Sequence, residues 1–294
     1  MLAIDHDKIL TEIGSSRPID KIAILIAMPE EAAPVIETLS LYSCDAGFDP
    51  HLGLQSYKSS LQNKEIYLIV NGVDSQYGVA RVGTEAATLA AHETIRILKP
   101  DTIISAGTAG GYANRGAAIG DIYIGAKKFS FHDRRIPIEK YEDYCRGNYP
   151  CLEAPALASA FNFKTGLIST GNSLSINADE QALIDQSGAV AKEMEVAAIA
   201  HVARLYQVRV MAVKAITNLA DIQADAASEF EKNFTKATQN LANALPNILN
   251  YLLGKTPKQL QTSLSIINPN PFLGKETAAR ESTREQYPCF PSKR

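Results

Sequence analysis

The stretch from Gln207 to Asp221, QVRVMAVKAITNLAD, constrains the fold of this chain more than any other. Its nearly continuous apolar run, bounded by polar residues, is typical of a strand buried on both faces of a largely parallel sheet. The run then breaks into Thr217, Asn218 and Asp221, and ligands of open α/β sheets bind just beyond the carboxyl ends of strands. Because Thr, Asn and Asp are also ordinary turn residues, this stretch alone is compatible with a turn or with a site.

The pattern around this stretch predicts a single α/β domain, because short apolar runs alternate with helix-like segments from residue 21 to residue 254. The expected strands cover 22–27, 66–70, 102–106, 121–126 and 167–170, and the expected helices 79–98, 179–186, 195–205 and 227–253. Residues 1–20 are predicted to be an N-terminal extension. Residues 255–294 are rich in Pro, Ser, Asn, Lys and Thr, which predicts a disordered tail.

The composition argues against several classes of protein. The net charge of −3 gives no reason to expect a nucleic-acid or membrane partner. No apolar run approaches the roughly 20 residues that span a bilayer, and the acidic N-terminus does not resemble a secretory signal. The four cysteines form no CxxC pair and no zinc-binding pattern, so we expect free thiols in a reducing compartment. A soluble, cytoplasmic protein is therefore predicted.

Five short groups rich in polar residues or glycine follow predicted strands. They are Met28–Glu31, Gly107–Gly111, Gly171–Ser173, Glu193–Glu195 and Thr217–Asn218. Each group has a plain structural explanation as a turn, a helix entry or a partner of a helix dipole. As a binding site, the glycine-rich group would let backbone N–H and C=O groups touch a ligand. Glu193 and Glu195 would point to the same face of an extended segment and could bind two neighbouring hydroxyls.

Taken together, these groups resemble the 5′-methylthioadenosine/S-adenosylhomocysteine nucleosidases of the nucleoside phosphorylase-like superfamily, with FHDRRIPI and Lys214 closest to the plant-type branch. The resemblance covers about residues 21–254. It rests on IAMPEEA (26–32), KPDTIISAGTAGG (99–111), IGD (119–121), FHDRRIP (131–137), STGNSL (169–174), KEMEVAAIAHVA (192–203) and VKAITNLAD (213–221). It implies a single-domain, three-layer α/β fold with a mixed central β-sheet ringed by helices.

The resemblance further implies a homodimer that hydrolyses the N-glycosidic bond of an adenine thionucleoside without a metal or cofactor. Glu31 would activate the attacking water, and Glu195 would bind the ribose 2′- and 3′-hydroxyls. Ile136 and Tyr141 would reach into the neighbouring subunit's pocket for the 5′ substituent. The other implied substrate-binding residues are Thr108, Ala109, Gly110, Ser173, Leu174, Glu193, Met194, Lys214 and Thr217.

The residue types fit hydrolysis better than phosphorolysis. The glycosidic bond breaks through an oxocarbenium-like state, with a carboxylate taking the proton of water and an acid protonating N7 of the leaving adenine. A phosphorylase instead needs cations to hold phosphate. The related phosphorylases have an arginine two residues before the glycine of the GT loop, where this chain has Ser105.

One departure from the family pattern concerns the general acid. The family has an aspartate after Thr217 where this chain has Asn218, and Asn172 replaces a second aspartate. An amide can hydrogen-bond a purine but cannot deliver a proton, and losing a positioned acid costs about 10²–10⁴ in rate. Three interpretations follow: an introduced substitution that traps substrate, a weakened or non-catalytic nucleoside-binding protein, or a nucleosidase for 6-oxopurine nucleosides. Asp221 should point elsewhere and is not expected to replace the acid.

Overall fold

The structure is a computed structural model that describes residues 17–222 and 225–262. Within this part of the chain the strands are β1 (Lys21–Ile26), β2 (Tyr42–Ser43), β3 (Gln55–Leu61), β4 (Lys64–Val70), β5 (Thr102–Gly111), β6 (Ile122–Phe131), β7 (Tyr149–Pro150), β8 (Lys164–Thr170), β9 (Ala191–Glu193) and β10 (Arg209–Leu219). The helices are α1 (Pro29–Thr38), α2 (Thr84–Leu98), α3 (Glu142–Arg146), α4 (Pro155–Ala160), α5 (Ala178–Ser187), α6 (Val196–Leu205), α7 (Ala226–Leu252) and α8 (Pro257–Thr262).

The strands form one mixed sheet. β1 pairs in parallel with β4 and β5, and β5 pairs in parallel with β10. β10 is also antiparallel to β6, which is parallel to β8, and β8 is parallel to β9. Because β9 pairs back onto β5 in antiparallel fashion, five strands close into a ring on one side of the sheet. The long strand predicted around residues 207–221 is therefore hydrogen-bonded on both edges.

Helices cover both faces of the sheet and make the fold three-layered. One core cluster joins α1 and α7 to side chains such as Ile104 and Met211. The other joins α2 and α6 to the opposite face, through side chains such as Ile103 and Ala212. Residues from Val210 to Asn218 are all buried, as expected for a strand covered on both faces. The predicted three-layer α/β fold is thus confirmed.

Two predicted strand ends are wrong, because both strands continue through their polar or glycine-rich segments. β5 runs through Gly107 to Gly111, where it pairs with both β10 and β9. β10 likewise runs through Thr217 and Asn218 to Leu219. The predicted helix over 79–98 begins only at Thr84. The polar and glycine-rich segments of β5 and β10 lie within the paired part of the sheet, where hydrogen bonds to neighbouring strands override their local preference for turns.

Parts of the predicted extension and tail pack against the domain. The N–H of Ile19 donates to the carbonyl of Lys255 at 3.0 Å, and Ile19 accepts from Gly254 at 2.8 Å. Leu260 on α8 is fully buried. The ordered part therefore extends at least from residue 17 to residue 262, and the rest of the predicted extension and tail lies outside the described residues. Among the described helices, none combines the length and the apolar character needed to cross a bilayer.

Candidate active site

A cavity of about 270 Å³ opens where β1, β5, β9 and β10 end. Several short segments contribute its wall: Ala27, Met28, Glu31, Val82, Thr108, Ala109, Gly110, Ser173, Leu174, Lys192, Glu193, Met194, Glu195, Thr217, Asn218 and Phe230. A concave pocket with a few convergent polar groups is the usual form of a small-molecule site. We call it the acidic cavity, because three carboxylates line it, those of Glu31, Glu193 and Glu195.

A β-bulge places two consecutive residues of β10 in the cavity wall. The register between β10 and β5 shifts between Ile216 and Asn218, so Thr217 is the extra residue. Regular alternation would send the side chains of Thr217 and Asn218 to opposite faces of the sheet. The bulge re-aims one of them, and both line the cavity. Bulges are common beside active sites for this reason.

Glu31 is buried in the first turn of α1 and held by the neighbouring strand. Pro29 begins the helix, where its missing N–H costs nothing, and the helix dipole favours a carboxylate in this turn. Oε1 of Glu31 accepts hydrogen bonds from both the backbone N–H and the hydroxyl of Thr108, each at 2.7 Å. Gly107 gives the carboxylate its room, because a Cβ at that position would come within 3.2 Å of Oε2.

Glu193 and Lys214 form a buried ion pair beside the cavity. The ammonium of Lys214 lies 2.9 Å from Oε2 of Glu193, and each side chain is only 1% exposed. Glu193 also caps α6 by accepting from the N–H of Val196 at 2.9 Å. The hydroxyl of Thr170 donates to its other oxygen at 2.5 Å. These contacts occupy the Glu193 carboxylate with protein partners, so its helix-entry role is evident in the structure.

Glu195 lies two residues after Glu193, and its carboxylate has fewer protein partners than that of Glu193 among the described residues. Its Oε1 accepts the N–H of Gly83 at 3.0 Å, just before α2. Burial raises the pKa of Glu195 to about 7, and the charge of Glu193 adds to the increase, while Lys214 opposes it. Burial also raises the pKa of Glu31, against the hydrogen bonds from Thr108 and the charge of Lys214. Burial alone would lower the pKa of Lys214, but Glu193 and Glu195 outweigh it and raise that pKa.

Asn218 is 2% exposed and lies against the glycine-rich part of β5. The hydroxyl of Thr217 is 3.1 Å from Oδ1 of Asn218 and 3.3 Å from the carbonyl of Ala109. A Cβ at Gly110 would lie 3.1 Å from Nδ2 of Asn218, so glycine there leaves the amide its space. With Oδ1 directed to Thr217, Nδ2 is the group that can donate to a ligand.

The chain is similar to known proteins of one superfamily. Residues 21–250 match the model of the phosphorylase superfamily. The 5′-methylthioadenosine/S-adenosylhomocysteine nucleosidase of Arabidopsis thaliana is 34% identical, over 81% of this chain and 94% of its own length. The 5′-methylthioadenosine nucleosidase of the same plant is 36% identical, over 83% and 91%. An apo structure of the Arabidopsis thaliana 5′-methylthioadenosine nucleosidase matches with a TM-score of 0.79 at 35% identity, covering 82% of this chain and 99% of that one.

The chain belongs to the methylthioadenosine nucleosidase family of the phosphorylase superfamily. This is a family of N-glycosyl hydrolases. All the nucleosidase site residues predicted from the sequence line the acidic cavity, except Lys214, Ile136 and Tyr141. Lys214 lies just behind the wall, bonded to Glu193.

Ile136 and Tyr141 are exposed and do not line the acidic cavity of this nucleosidase chain. Ile136 lies instead in a second concavity of about 540 Å³, which we call the arginine groove. Its wall consists of Phe131, Arg134, Arg135, Ile136, Pro137, Glu142, Cys145, Arg146, Asp179, Ala182, Leu183 and Gln186. In a single chain, the two residues predicted for the 5′ pocket therefore lie outside it.

The other two polar positions of the nucleosidase pattern have structural roles. Oδ1 of Asn172 accepts the N–H of Thr84 at 2.8 Å, and its Nδ2 donates to the hydroxyl of Thr84 at 2.8 Å, so Asn172 caps α2. The carboxylate of Asp221 accepts the N–H groups of Ala113 and Asn114 at 2.7 and 2.8 Å. Neither residue lines the acidic cavity, and Asp221 points away from it as predicted.

Sequence reasoning missed Ala27, Val82, Lys192 and Phe230, and it included Met28 only as part of the group Met28–Glu31. Ala27 directly follows β1, so the strand-end rule could have included it. Phe230 lies on α7, and its place depends on how that helix packs. Alternation in an extended segment would send Lys192 away from Glu193, so no local pattern marks it as part of the wall.

Proposed function

We propose that this protein hydrolyses the N-glycosidic bond of 5′-methylthioadenosine to adenine and a 5-thioribose, with S-adenosylhomocysteine as a further candidate substrate. The observation that carries this proposal is the pair of carboxylates in one small cavity, Glu31 and Glu195. The Arabidopsis relative at 34% identity is named for both substrates, and the relative at 36% identity is named for 5′-methylthioadenosine alone. The 5′ substituent and the preferred base are parts of the proposal.

The two carboxylates would divide the work. Glu31, fixed by two hydrogen bonds from Thr108, would take the proton of the attacking water. A raised pKa suits this task, because a general base works best when its pKa approaches the operating pH. Glu195 would accept hydrogen bonds from the ribose 2′- and 3′-hydroxyls, since an ionised carboxylate is an acceptor only. Both groups would then stabilise the positive charge that develops on the sugar.

The charge of the cavity supports hydrolysis over phosphorolysis. Among its described lining residues Lys192 is the one cation, and its ammonium donates to the carbonyls of Ser173 and Leu174. Lys214 is paired with Glu193. A phosphate would meet three carboxylates and no free cation, whereas phosphate sites rely on arginine or lysine. Ser105, at the position of the phosphorylase arginine, is a buried residue of β5.

Asn218 would hold the leaving base without protonating it. Its Nδ2 can donate to N7, which is an acceptor in every purine. An amide delivers no proton, so the base would leave slowly, and we expect turnover about 10²–10⁴ below that of an aspartate form. The active protein would therefore be a slow nucleosidase.

The test compares adenine release from methylthioadenosine by the protein as it stands, by Asn218→Asp and by Asn172→Asp. The last is a matched control, because it restores the other aspartate of the family pattern outside the cavity. We expect Asn218→Asp to raise the rate about 10²–10⁴-fold and Asn172→Asp to leave it near that of the parent. If Asn218→Asp binds the nucleoside but releases no adenine over hours, the enzymatic proposal is wrong.

A second candidate is a nucleoside-binding protein with little or no turnover, and the amide at position 218 favours it. Because Nδ2 donates to N7 equally well in adenine and in 6-oxopurines, Asn218 does not select between these bases. This candidate predicts nucleoside binding without adenine release in both the parent and Asn218→Asp. Thermal stabilisation by a panel of nucleosides measures which nucleoside is bound, since a ligand that binds only the folded state raises its stability. A larger shift with inosine or guanosine than with methylthioadenosine would favour the oxopurine alternative.

We further propose a homodimer in which Ile136 and Tyr141 complete the partner's cavity. Their exposure of 40% and 39% in the single chain supports this. Sedimentation should give a dimer, and Tyr141→Ser should weaken methylthioadenosine binding while the position of Glu31 stays the same.

We also propose a cytoplasmic location, which the free thiols of Cys44, Cys145 and Cys151 support. Cell fractionation tests it.

A further inference from the structure

Lys192 is a buried lysine whose position the reaction scheme above does not use. It is 6% exposed and lies in β9, next to Glu193 in sequence. No carboxylate of the described residues lies within ion-pair distance of its ammonium. Burying such a charge costs free energy unless it gains hydrogen bonds. The contacts of its ammonium therefore identify what the charge does.

The ammonium of Lys192 donates to two consecutive backbone carbonyls, those of Leu174 at 2.6 Å and of Ser173 at 3.3 Å. Both residues line the acidic cavity. They lie in the connection between β8 and α5, which has no regular structure at this point. We call residues 173–174 the cavity turn.

The segments on both sides of the cavity turn are held by hydrogen bonds, whereas Lys192 is the side chain that holds the turn itself among the described residues. Before it, the N–H of Asn172 donates to Asp133 at 2.8 Å. After it, Asn177 caps α5 through reciprocal hydrogen bonds with Glu180. Among the described residues, Lys192 is the donor that the structure gives to the carbonyls of Ser173 and Leu174. Charge-assisted hydrogen bonds of this kind are stronger than neutral ones.

The groups around Lys192 keep it charged near neutral pH. Burial lowers the pKa of Lys192 to about 8, and the charges of Glu180 and Glu193 oppose that decrease. The neighbouring His132 is buried, and burial lowers its pKa to about 4, so it is neutral and does not repel the ammonium. At pH 7 the side chain of Lys192 is therefore protonated in most molecules and has three N–H donors.

We propose that Lys192 is a positioning residue that holds the cavity turn, Ser173 and Leu174, in the shape that contacts the bound nucleoside. Lys192 acts through these two carbonyls and needs no contact with the reacting atoms. This inference rests on the proposed function for the identity of the ligand. The holding of the turn itself rests on the contacts of Lys192 alone.

Two measurements on the full chain test this: the rate of thermolysin cleavage beside Leu174, followed by mass spectrometry, and the dissociation constant for methylthioadenosine, from calorimetry. Lys192→Met removes the donors and keeps much of the side-chain length, and Lys192→Arg restores donors. Lys255→Met is the matched control, because Lys255 also donates to a backbone carbonyl, that of Tyr251 at 2.7 Å, far along the chain from the cavity. Thermal unfolding checks that all variants are folded.

We expect thermolysin to cleave Lys192→Met at the turn about tenfold faster than the parent. The dissociation constant for methylthioadenosine should rise about tenfold, because the charge-assisted hydrogen bonds to the turn are lost. Lys192→Arg should recover most of both, and Lys255→Met should match the parent in both. Unchanged cleavage or unchanged affinity in Lys192→Met would overturn the proposal, as would an equal change in Lys192→Arg. Failure of the proposed function looks different: the parent protein itself would bind no methylthioadenosine, and the cleavage rates would still decide whether Lys192 holds the turn.

Discussion

The acidic cavity and the arginine groove are both concave and charged, yet they differ in how they hold their charges. The groove is the larger, at about 540 Å³ against 270 Å³. Its ion pairs lie in water: Arg135 and Asp179, 3.5 Å apart, have side chains 46% and 81% exposed. At the wall of the cavity, the side chains of Glu193 and of Lys214 just behind it are each 1% exposed.

This difference in the burial of charge indicates which of the two concavities is the candidate functional site. Exposed ion pairs contribute about 0–1 kcal/mol and cost little to keep. Buried charges cost several kcal/mol each unless partners offset the loss of water. A chain that buries Glu31, Glu193 and Lys214 around one small space pays a free-energy cost there, and functional sites are where such costs are common. Burial of charge therefore indicates the site better than size does.

The largest effect expected within this comparison is on catalysis. Glu31→Gln, introduced together with Asn218→Asp, should lower adenine release about 10²–10⁴-fold, because the amide cannot accept the proton of water. Glu30→Gln, also combined with Asn218→Asp, is the matched control, since Glu30 is exposed in the same turn of α1 and lies outside the cavity. Equal rates for the two variants would mean that Glu31 is only a helix-dipole partner.

The next largest effect is on stability. Lys214→Met leaves Glu193 buried without its cation, and breaking a buried pair from one side costs about 3–5 kcal/mol. Urea unfolding measures this loss. Adding Glu193→Gln should recover part of it, because the unpaired charge is then gone, and the double-mutant cycle gives the coupling between the two residues. A loss below about 1 kcal/mol would place this pair in the same class as the exposed pairs of the groove.

A smaller effect depends on pH. The pKa of Glu195 is raised from 4.5 to about 7 in the folded protein, so the folded state binds this proton more tightly than the unfolded chain does. The contribution of Glu195 to the free energy of unfolding is complete below pH 4.5 and is lost as the pH rises through 7. Glu195→Gln should therefore gain stability relative to the parent by about 1–3 kcal/mol between pH 5 and pH 8.

Unfolding midpoints across this pH range test the expectation for Glu195. A difference between the two proteins that stays constant with pH would show that Glu195 has an ordinary pKa in the folded state. Glu30→Gln again serves as the control, because an exposed glutamate should leave the pH dependence of stability unchanged.

The smallest effect is expected in the arginine groove. Asp179→Asn removes the partner of Arg135 and should change the free energy of unfolding by less than about 1 kcal/mol, because water screens an exposed pair. Adenine release should stay the same. A loss of stability well above 1 kcal/mol would show that water does not screen this ion pair and would remove the contrast with the buried pair of the cavity.

Much of the cavity could be predicted because chemistry-bearing residues cluster at strand ends in the sequence. Glu31 follows β1, Thr108 lies on β5, and Glu193 and Glu195 mark the entry to α6. Taken alone each group also had a structural explanation, and their joint resemblance to the nucleosidase pattern indicated the family. Phe230 and Lys192 could not be found in this way, because Phe230 depends on the packing of α7 and Lys192 depends on the pairing of β9 with β8, which brings it to the loop after β8.

The alternation of apolar runs and helix-like segments was enough to predict an α/β domain, and the three-layer arrangement with a mixed sheet was implied by the family resemblance. The sequence by itself also determined which side chains are available for chemistry, including the amide of Asn218 in place of an acid. The ends of β5 and β10, in contrast, depend on tertiary contacts, because strand pairing on both edges overrides the local preference for turns. The tertiary structure also decided that Thr217 and Asn218 face the same cavity, since a bulge depends on the register with β5 and not on the residues of β10 alone.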